Sequence, residues 1–232
     1  MTTARPGDKA IQWGLVITAL SLLGVAAVYF LALEHTPTEI RQGLAQKIFY
    51  LHAPAAWSAL ISFSLVGVVS VLYLWLQDHR LDLFAASAVE VGLVFGLVML
   101  TTGPIWGKPI WGTWWTWDPR LTLTLILFLI FVGYLALRAA LSDSSERARF
   151  SAVVGIMGLL LVPFVHLSVY LFRTMHPTPI VLKPSRPSLP PEMLRTLMVS
   201  MGVATLLCIG FVLVRYGLAL RAHAREEAQH AA

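Results

Sequence analysis

The chain is poor in the residues that cross-linking and hydrolytic catalysis need. Its single cysteine, Cys208, lies in an apolar run. That excludes an intrachain disulfide, a CxxC redox pair and a thiolate metal cluster. Charged residues fill 12% of 232 positions, about half the share in an ordinary globular domain. The net charge of +5 is spread over loops and ends. No Lys/Arg-rich run alternates with aromatics, so nucleic acid is not a partner. Walker motifs, nucleophile–base pairs and catalytic carboxylate pairs are missing. Internal repeats and low-complexity tracts are missing too.

What remains is apolar: 57% of the residues are hydrophobic and the mean hydropathy is +0.74. This composition identifies an all-α polytopic membrane protein. A spanning helix needs about 20 mostly apolar residues. Six segments qualify, about 11–33, 54–76, 84–103, 121–141, 149–171 and 194–219, forming one integral-membrane domain over 1–232. The first run, Ile11 to Leu33, exceeds a signal-peptide core and reads as a retained helix. An even count puts both termini on one side. With that side cytoplasmic, nine Lys and Arg residues lie inside and eight outside. Such a near tie gives orientation only if the outer cations have another task. Gly92 with Gly96, and Gly155 with Gly158, suit close helix packing in lipid. Glu90, the one acid well inside an apolar segment, reads as a carboxyl near the inner interface, protonated or snorkelling.

Trp106 to Thr122 reads WGKPIWGTWWTWDPRLT. Five tryptophans, Trp106, Trp111, Trp114, Trp115 and Trp117, fall within it. Gly103, Pro104, Pro109 and Gly112 predict an irregular loop in its first half, and residues 104–120 form an outer, periplasmic loop in the orientation above. A belt of interfacial aromatics spreads over many helix ends. Five indoles in one stretch instead make a flat apolar surface suited to a large planar ligand. Asp118, just before Pro119, is placed to cap the fourth helix.

Of seven histidines, His35, His79, His223 and His230 fall in polar surroundings. His52, in KIFYLHAPAAW, stands at the outer mouth of the second segment, with Pro54 suited to a helix's first turn. His166, in LLVPFVHLSVYLFR, lies about a turn inside the outer end of the fifth, after Pro163. Tyr170 and Arg173 share its face. Two neutral imidazoles can clamp iron from opposite faces of a porphyrin. The tryptophans would cover its apolar edge, and Arg120, Lys47 and Arg173 would pair with its propionates. Zinc is disfavoured, because no Cys or carboxylate cluster completes a tetrahedron. His176, in TMHPTP, is a spare ligand or a loop residue, with the loop reading favoured.

WGKPIWGTWWTWDPRLT resembles the tryptophan-rich WWD signature of the heme-handling membrane proteins of cytochrome c maturation. IFYLHAPAAWS and LVPFVHLSVY resemble that family's two histidine motifs. With six segments and one such histidine on each side of the loop, the chain is similar to the short, CcmC branch. The likeness covers roughly residues 40–175. It implies His52 and His166 as axial ligands of heme b, with Trp114, Trp115 and Asp118 matching the WWD core and Arg120 its following basic residue. It further implies delivery of heme to the periplasmic chaperone CcmE, and association with the small membrane protein CcmD and the ABC transporter CcmA/CcmB. Lys47 departs from the arginine expected five residues before the first histidine.

The resulting expectation is a heme-binding transfer protein of the bacterial inner membrane, with both termini cytoplasmic, and not a conventional enzyme. It would at most assist heme attachment on the acceptor. A heme-conducting subunit of an exporter is the main rival, and a subunit carrying a structural b-type heme is another. The apolar third and fourth segments, and ligands confined to the outer end, favour capture over conduction.

Overall fold

The structure, a computed structural model, describes residues 5–181 and 183–230, with the side chain of His230 outside that set. It is all-α, with six long helices: α1 (Asp8–Phe30), α2 (Phe49–Leu76), α3 (His79–Trp111), α4 (Pro119–Ala140), α5 (Ser144–Leu171) and α6 (Pro191–His230). All six are long and apolar enough to cross a membrane. A π-helical turn, Leu31–His35, extends α1, and a 3₁₀ turn, Leu44–Ile48, leads into α2. In lipid, α-helices satisfy the backbone without water, so an apolar chain of this kind folds as helices.

Several helix ends differ from the sequence expectation, and three of the differences matter most. First, α3 does not break at Gly103 and Pro104 but continues to Trp111. A proline removes one N–H and leaves its neighbours' bonds intact, and nearby hydroxyls and water can serve the freed carbonyl. The helix stops at Gly112, where φ is +77°. Glycine meets that left-handed geometry without a Cβ clash. Its N–H bonds Lys108 O at 3.0 Å, and Lys108 Nζ donates to Gly112 O at 2.8 Å. The irregular backbone therefore shrinks to residues 112–118. Second, α2 starts at Phe49, so Pro54 lies inside the helix and His52 is already helical. Third, α6 runs 40 residues, about 60 Å at the α-helical rise. That is twice the hydrocarbon thickness of about 30 Å, and the helix extends well past residue 219.

The central helix is α2, packed on α3, α5 and α6; α4 packs on α5 and more sparsely on α3, and α1 rests on α6. Small residues allow this closeness. A Cβ at Gly67 would come within 2.2 Å of Leu159 Cβ, and one at Gly92 within 2.8 Å of the Phe63 ring. Phe63 stacks on Phe131 at 4.2 Å, almost parallel, and plugs the middle of the bundle.

At the end opposite the tryptophans, ion pairs join the helices. Arg138 of α4 grips Asp82 of α3 through two hydrogen bonds of 2.5 and 2.9 Å. Arg221 of α6 pairs with Asp8 of α1 at 2.7 Å. Arg215 of α6 supplies the partner for Glu90, at 2.6 Å. That carboxylate is thus paired, not merely snorkelling. The Asp82–Arg138 pair is the buried one. Removing one partner of a buried pair strands the other charge, at a cost of about 3–5 kcal/mol. Asp82→Ala should lower stability by about that much in chemical unfolding of the detergent-solubilised protein. Asp143→Ala, which removes only the α5 N-cap bond to Glu146 N, should cost about 0.5–2 kcal/mol.

Candidate functional site

At the tryptophan end, α2, α3, α4 and α5 part around a cavity of about 260 Å³. Its deeper wall is apolar: Ala56 and Leu60 from α2, Met99 and Leu100 from α3, Leu121 from α4 and Val165 from α5. Its mouth carries the chemistry. His52 enters from α2, Trp106 and Trp111 from α3, Trp114 and Trp115 from the 112–118 connection, Arg120 from the first turn of α4, and His176 from the chain after α5. Ligand pockets commonly hold about 300–1,000 Å³, so a porphyrin would be only partly enclosed. Trp114, 59% exposed, borders the open side.

Hydrogen bonding fixes the tautomers of the two imidazoles. Thr102 Oγ1 lies 2.6 Å from Val98 O, a carbonyl that can only accept. The one hydroxyl proton points there, so Thr102 Oγ1 accepts from His52 Nδ1–H, at 3.0 Å. For His176, Nδ1 lies 2.9 Å from Pro177 O, again an acceptor only, so Nδ1 is the protonated nitrogen. Both rings thus keep the Nε2 lone pair free, the form a metal-ligating imidazole takes when its other nitrogen is held by an outer partner. Gly103 makes room for His52: a Cβ there would stand 3.2 Å from His52 Cε1. Trp106 meets the His52 ring edge-on at 5.8 Å and is held by its own N–H bond to Gln42 Oε1, at 3.1 Å.

Among the described residues, several buried polar atoms at this end lack a partner, Thr116 Oγ1 and Thr122 Oγ1 among them. Arg120 Nη1 and Trp115 Nε1 are buried donors with no acceptor. Such groups carry a desolvation cost until an acceptor arrives, and a carboxylate suits the guanidinium well. A planar, apolar, acidic ligand with an open metal coordination position fits this set: indoles for its faces and edge, Arg120 for a carboxylate, Nε2 atoms for the metal.

The expected site residues fall into two groups. Trp106, Trp111, Trp114, Trp115, Arg120 and His52 share the cavity lining. The others stand apart from it. Trp117, 76% exposed, sits edge-on to Trp115 at 5.9 Å. Asp118 is buried and caps α4, its Oδ1 accepting from Arg120 N at 2.9 Å, the capping role read from the sequence. Lys47 lines a separate cavity between α1 and α2, and its ammonium donates to the carbonyls of Thr36 and Pro37. Arg173 is exposed and forms no wall of the cavity. His166 packs near Tyr170, at 6.5 Å between rings, and its neighbour Val165 takes the place on the wall. The histidine pair that shares the cavity is His52 with His176, not His52 with His166.

Thr102 and Gln42 have no role in the sequence reading, Gly103 reads there only as a helix breaker, and His176 only as a spare ligand or a loop residue. For His176 the signal was present, a third histidine on the same side of the membrane, but its loop position argued against it.

The chain matches the family model described as heme exporter protein C, over residues 4–231. It is similar to heme exporter protein C of Haemophilus influenzae, 38% identical over 202 residues, which covers 87% of this chain and 81% of the relative. The protein of that name from Bradyrhizobium diazoefficiens is 35% identical over 202 residues, covering 84% and 77%. The one from Escherichia coli K12 is 36% identical over 167 residues, covering 72% and 66%.

Electrostatics keep the second imidazole neutral. Burial, then the positive charge of Arg120, push His176 down from 6.5 to about 4. Burial alone would raise the Asp118 carboxyl, but hydrogen bonds from Thr174, Met175 N and Arg120 N outweigh it and hold the group below its ordinary value. A histidine depressed in the folded state contributes full stability above its unfolded value near 6.5. That contribution is lost progressively as pH falls toward about 4. An NMR titration of the ring should therefore give a midpoint near 4 for His176. A midpoint near 6.5 would mean that the ring is solvated.

Proposed function

As the chain belongs to the heme exporter protein C (CcmC) family, we propose that it captures heme b at the outer face of the bacterial inner membrane. From there it hands the heme to the periplasmic chaperone CcmE during cytochrome c maturation. The observation that carries this reading is the pair of imidazoles, His52 and His176, in one apolar, tryptophan-lined cavity, each with Nδ1 engaged and Nε2 free. His52 and His176 are the axial ligands in this reading, in place of the His52–His166 pair expected from the sequence. Arg120 receives a propionate. Trp106, Trp111, Trp114 and Trp115 line the faces and edge, and Trp117 lies outermost on the surface an acceptor meets.

The chain forms one integral-membrane unit with both termini cytoplasmic and residues 112–118 facing the periplasm. Partial enclosure suits a transfer protein, because an acceptor must reach the ligand before it leaves. Heme supplies the iron chemistry when bound; the chain's residues hold it, orient it and shield its apolar edge. CcmD and the CcmA/CcmB transporter are the partners in this reading, and ATP hydrolysis lies with the transporter. The rival, conduction of heme through the span, finds little support. Below the cavity the Phe63–Phe131 stack and fully buried Leu127 fill the bundle.

Hemin added to the purified protein should give a low-spin, six-coordinate spectrum. His52→Gly and His176→Gly should each lose it and bind hemin more weakly, by at least the about 10–100-fold that outer-shell partners of a metal ligand cost. Added imidazole should restore the six-coordinate form in both. His166→Ala should keep the parent spectrum. Loss of the spectrum in His166→Ala, with His176→Gly unaffected, would return the second ligand to α5.

A further inference from the structure

The stretch after α5 that carries His176 has no regular secondary structure between Phe172 and Pro179. At its start the Phe172 N–H closes the last turn of α5 on Ser168 O. Two further hydrogen bonds are internal. The His176 N–H donates to Thr174 Oγ1 at 3.1 Å, and the ring donates to Pro177 O. Past Phe172, and among the described residues, Asp118 is the only residue of another element that hydrogen-bonds this stretch. Its Oδ2 accepts from Met175 N at 2.7 Å, across 57 positions of sequence, and the Thr174 hydroxyl lies beside the same carboxylate.

Asp118 is 8% exposed, so water competes little for these bonds. Its other oxygen is committed to Arg120 N, the first turn of α4. One carboxylate therefore joins three parts: the tryptophan connection that it ends, the helix that presents Arg120, and the stretch that presents His176.

We propose that Asp118 is the positioning residue for His176, a latch that holds the second imidazole over the cavity. It acts through that histidine and does not touch the ligand. This proposal rests on the heme-binding reading given above. Ligand-orienting partners of this kind matter because a metal bond forms only when the ring is already aimed. The same latch links the exposed Trp114 and Trp117 to the ligand. A partner that shifts the tryptophan connection also shifts Asp118, and with it His176.

Capping and latching can be separated by substitution. Serine is as good an N-cap as aspartate, but its short side chain has one oxygen and cannot also reach Met175 N. Asparagine keeps one acceptor and turns an N–H₂ donor toward the other bond. The test uses full-length protein in nanodiscs, with the parent, Asp118→Ser, Asp118→Asn and His176→Gly, and with Asp118→Ser combined with His176→Gly. Hemin affinity and the absorption spectrum are measured for each, and amide hydrogen exchange over residues 172–177 is measured without heme. Asp118→Ser and Asp118→Asn should weaken hemin binding about 10–100-fold and lose six-coordination, recovering it with imidazole. Exchange over 172–177 should speed up in the heme-free protein. On the His176→Gly background, Asp118→Ser should change affinity by no more than about two-fold, because residues acting as one unit are not additive. Parent-like exchange in the heme-free Asp118→Ser protein would overturn the latch whatever heme does. So would a full additional loss on the His176→Gly background. A parent-like spectrum in His176→Gly would instead bring down the ligand assignment, and with it the positioning role.

Discussion

Hydrocarbon offers no partner to an unpaired peptide group, and the rest of this structure depends on that constraint. It forces nearly every residue at membrane depth into helix, and it leaves irregular backbone only where water or protein can serve the amides. Here the irregular pieces that matter are residues 112–118 and the stretch after α5, both at one end of the bundle. The bundle below is packed through small residues and the Phe63–Phe131 stack and provides a stiff base. Binding groups therefore gather at the rim, on helix ends and connections that the base holds in place.

At that rim the apolar and polar requirements of one ligand are met by different elements. The helices supply the oily wall and the His52 ring. The connections supply indoles and the His176 ring, and the first turn of α4 supplies a buried guanidinium with an unused donor. An unpaired buried donor destabilises a protein unless an acceptor arrives, and Arg120 Nη1 is such a donor, suited to an acidic group. Neutral imidazoles with free Nε2 atoms are donors of the kind a metal takes. The two signals coincide in one cavity, and its small volume leaves part of any porphyrin open to an acceptor.

Much of this was legible in the sequence. Hydropathy alone gave the six spans, because about 20 apolar residues in a row have few other fates. Four of the five tryptophans, His52 and Arg120, read as candidates from their density and their place at helix mouths, line one cavity. The limits of legibility are physical. Pro104 and Pro109 read as helix breakers, yet α3 absorbs both. Lys47 read as a cation free for a propionate, yet it folds onto the carbonyls of Thr36 and Pro37. His166 reads as the second ligand by its place near the outer end of the fifth segment and by its likeness to the family's second histidine motif. His176 reads as a spare ligand or a loop residue, with the loop favoured. What fixes that loop is a bond from Met175 N to Asp118, 57 residues away, and no local pattern encodes a contact of that separation.

The central claim is that one iron lies between His52 and His176. An experimental structure of the heme-loaded protein in nanodiscs tests it most directly. The account predicts iron bound to Nε2 of both residues, each bond about 2 Å as in other metal–imidazole sites, with a propionate against Arg120. Iron bound to His166, or a porphyrin seated away from Trp114 and Trp115, would contradict it.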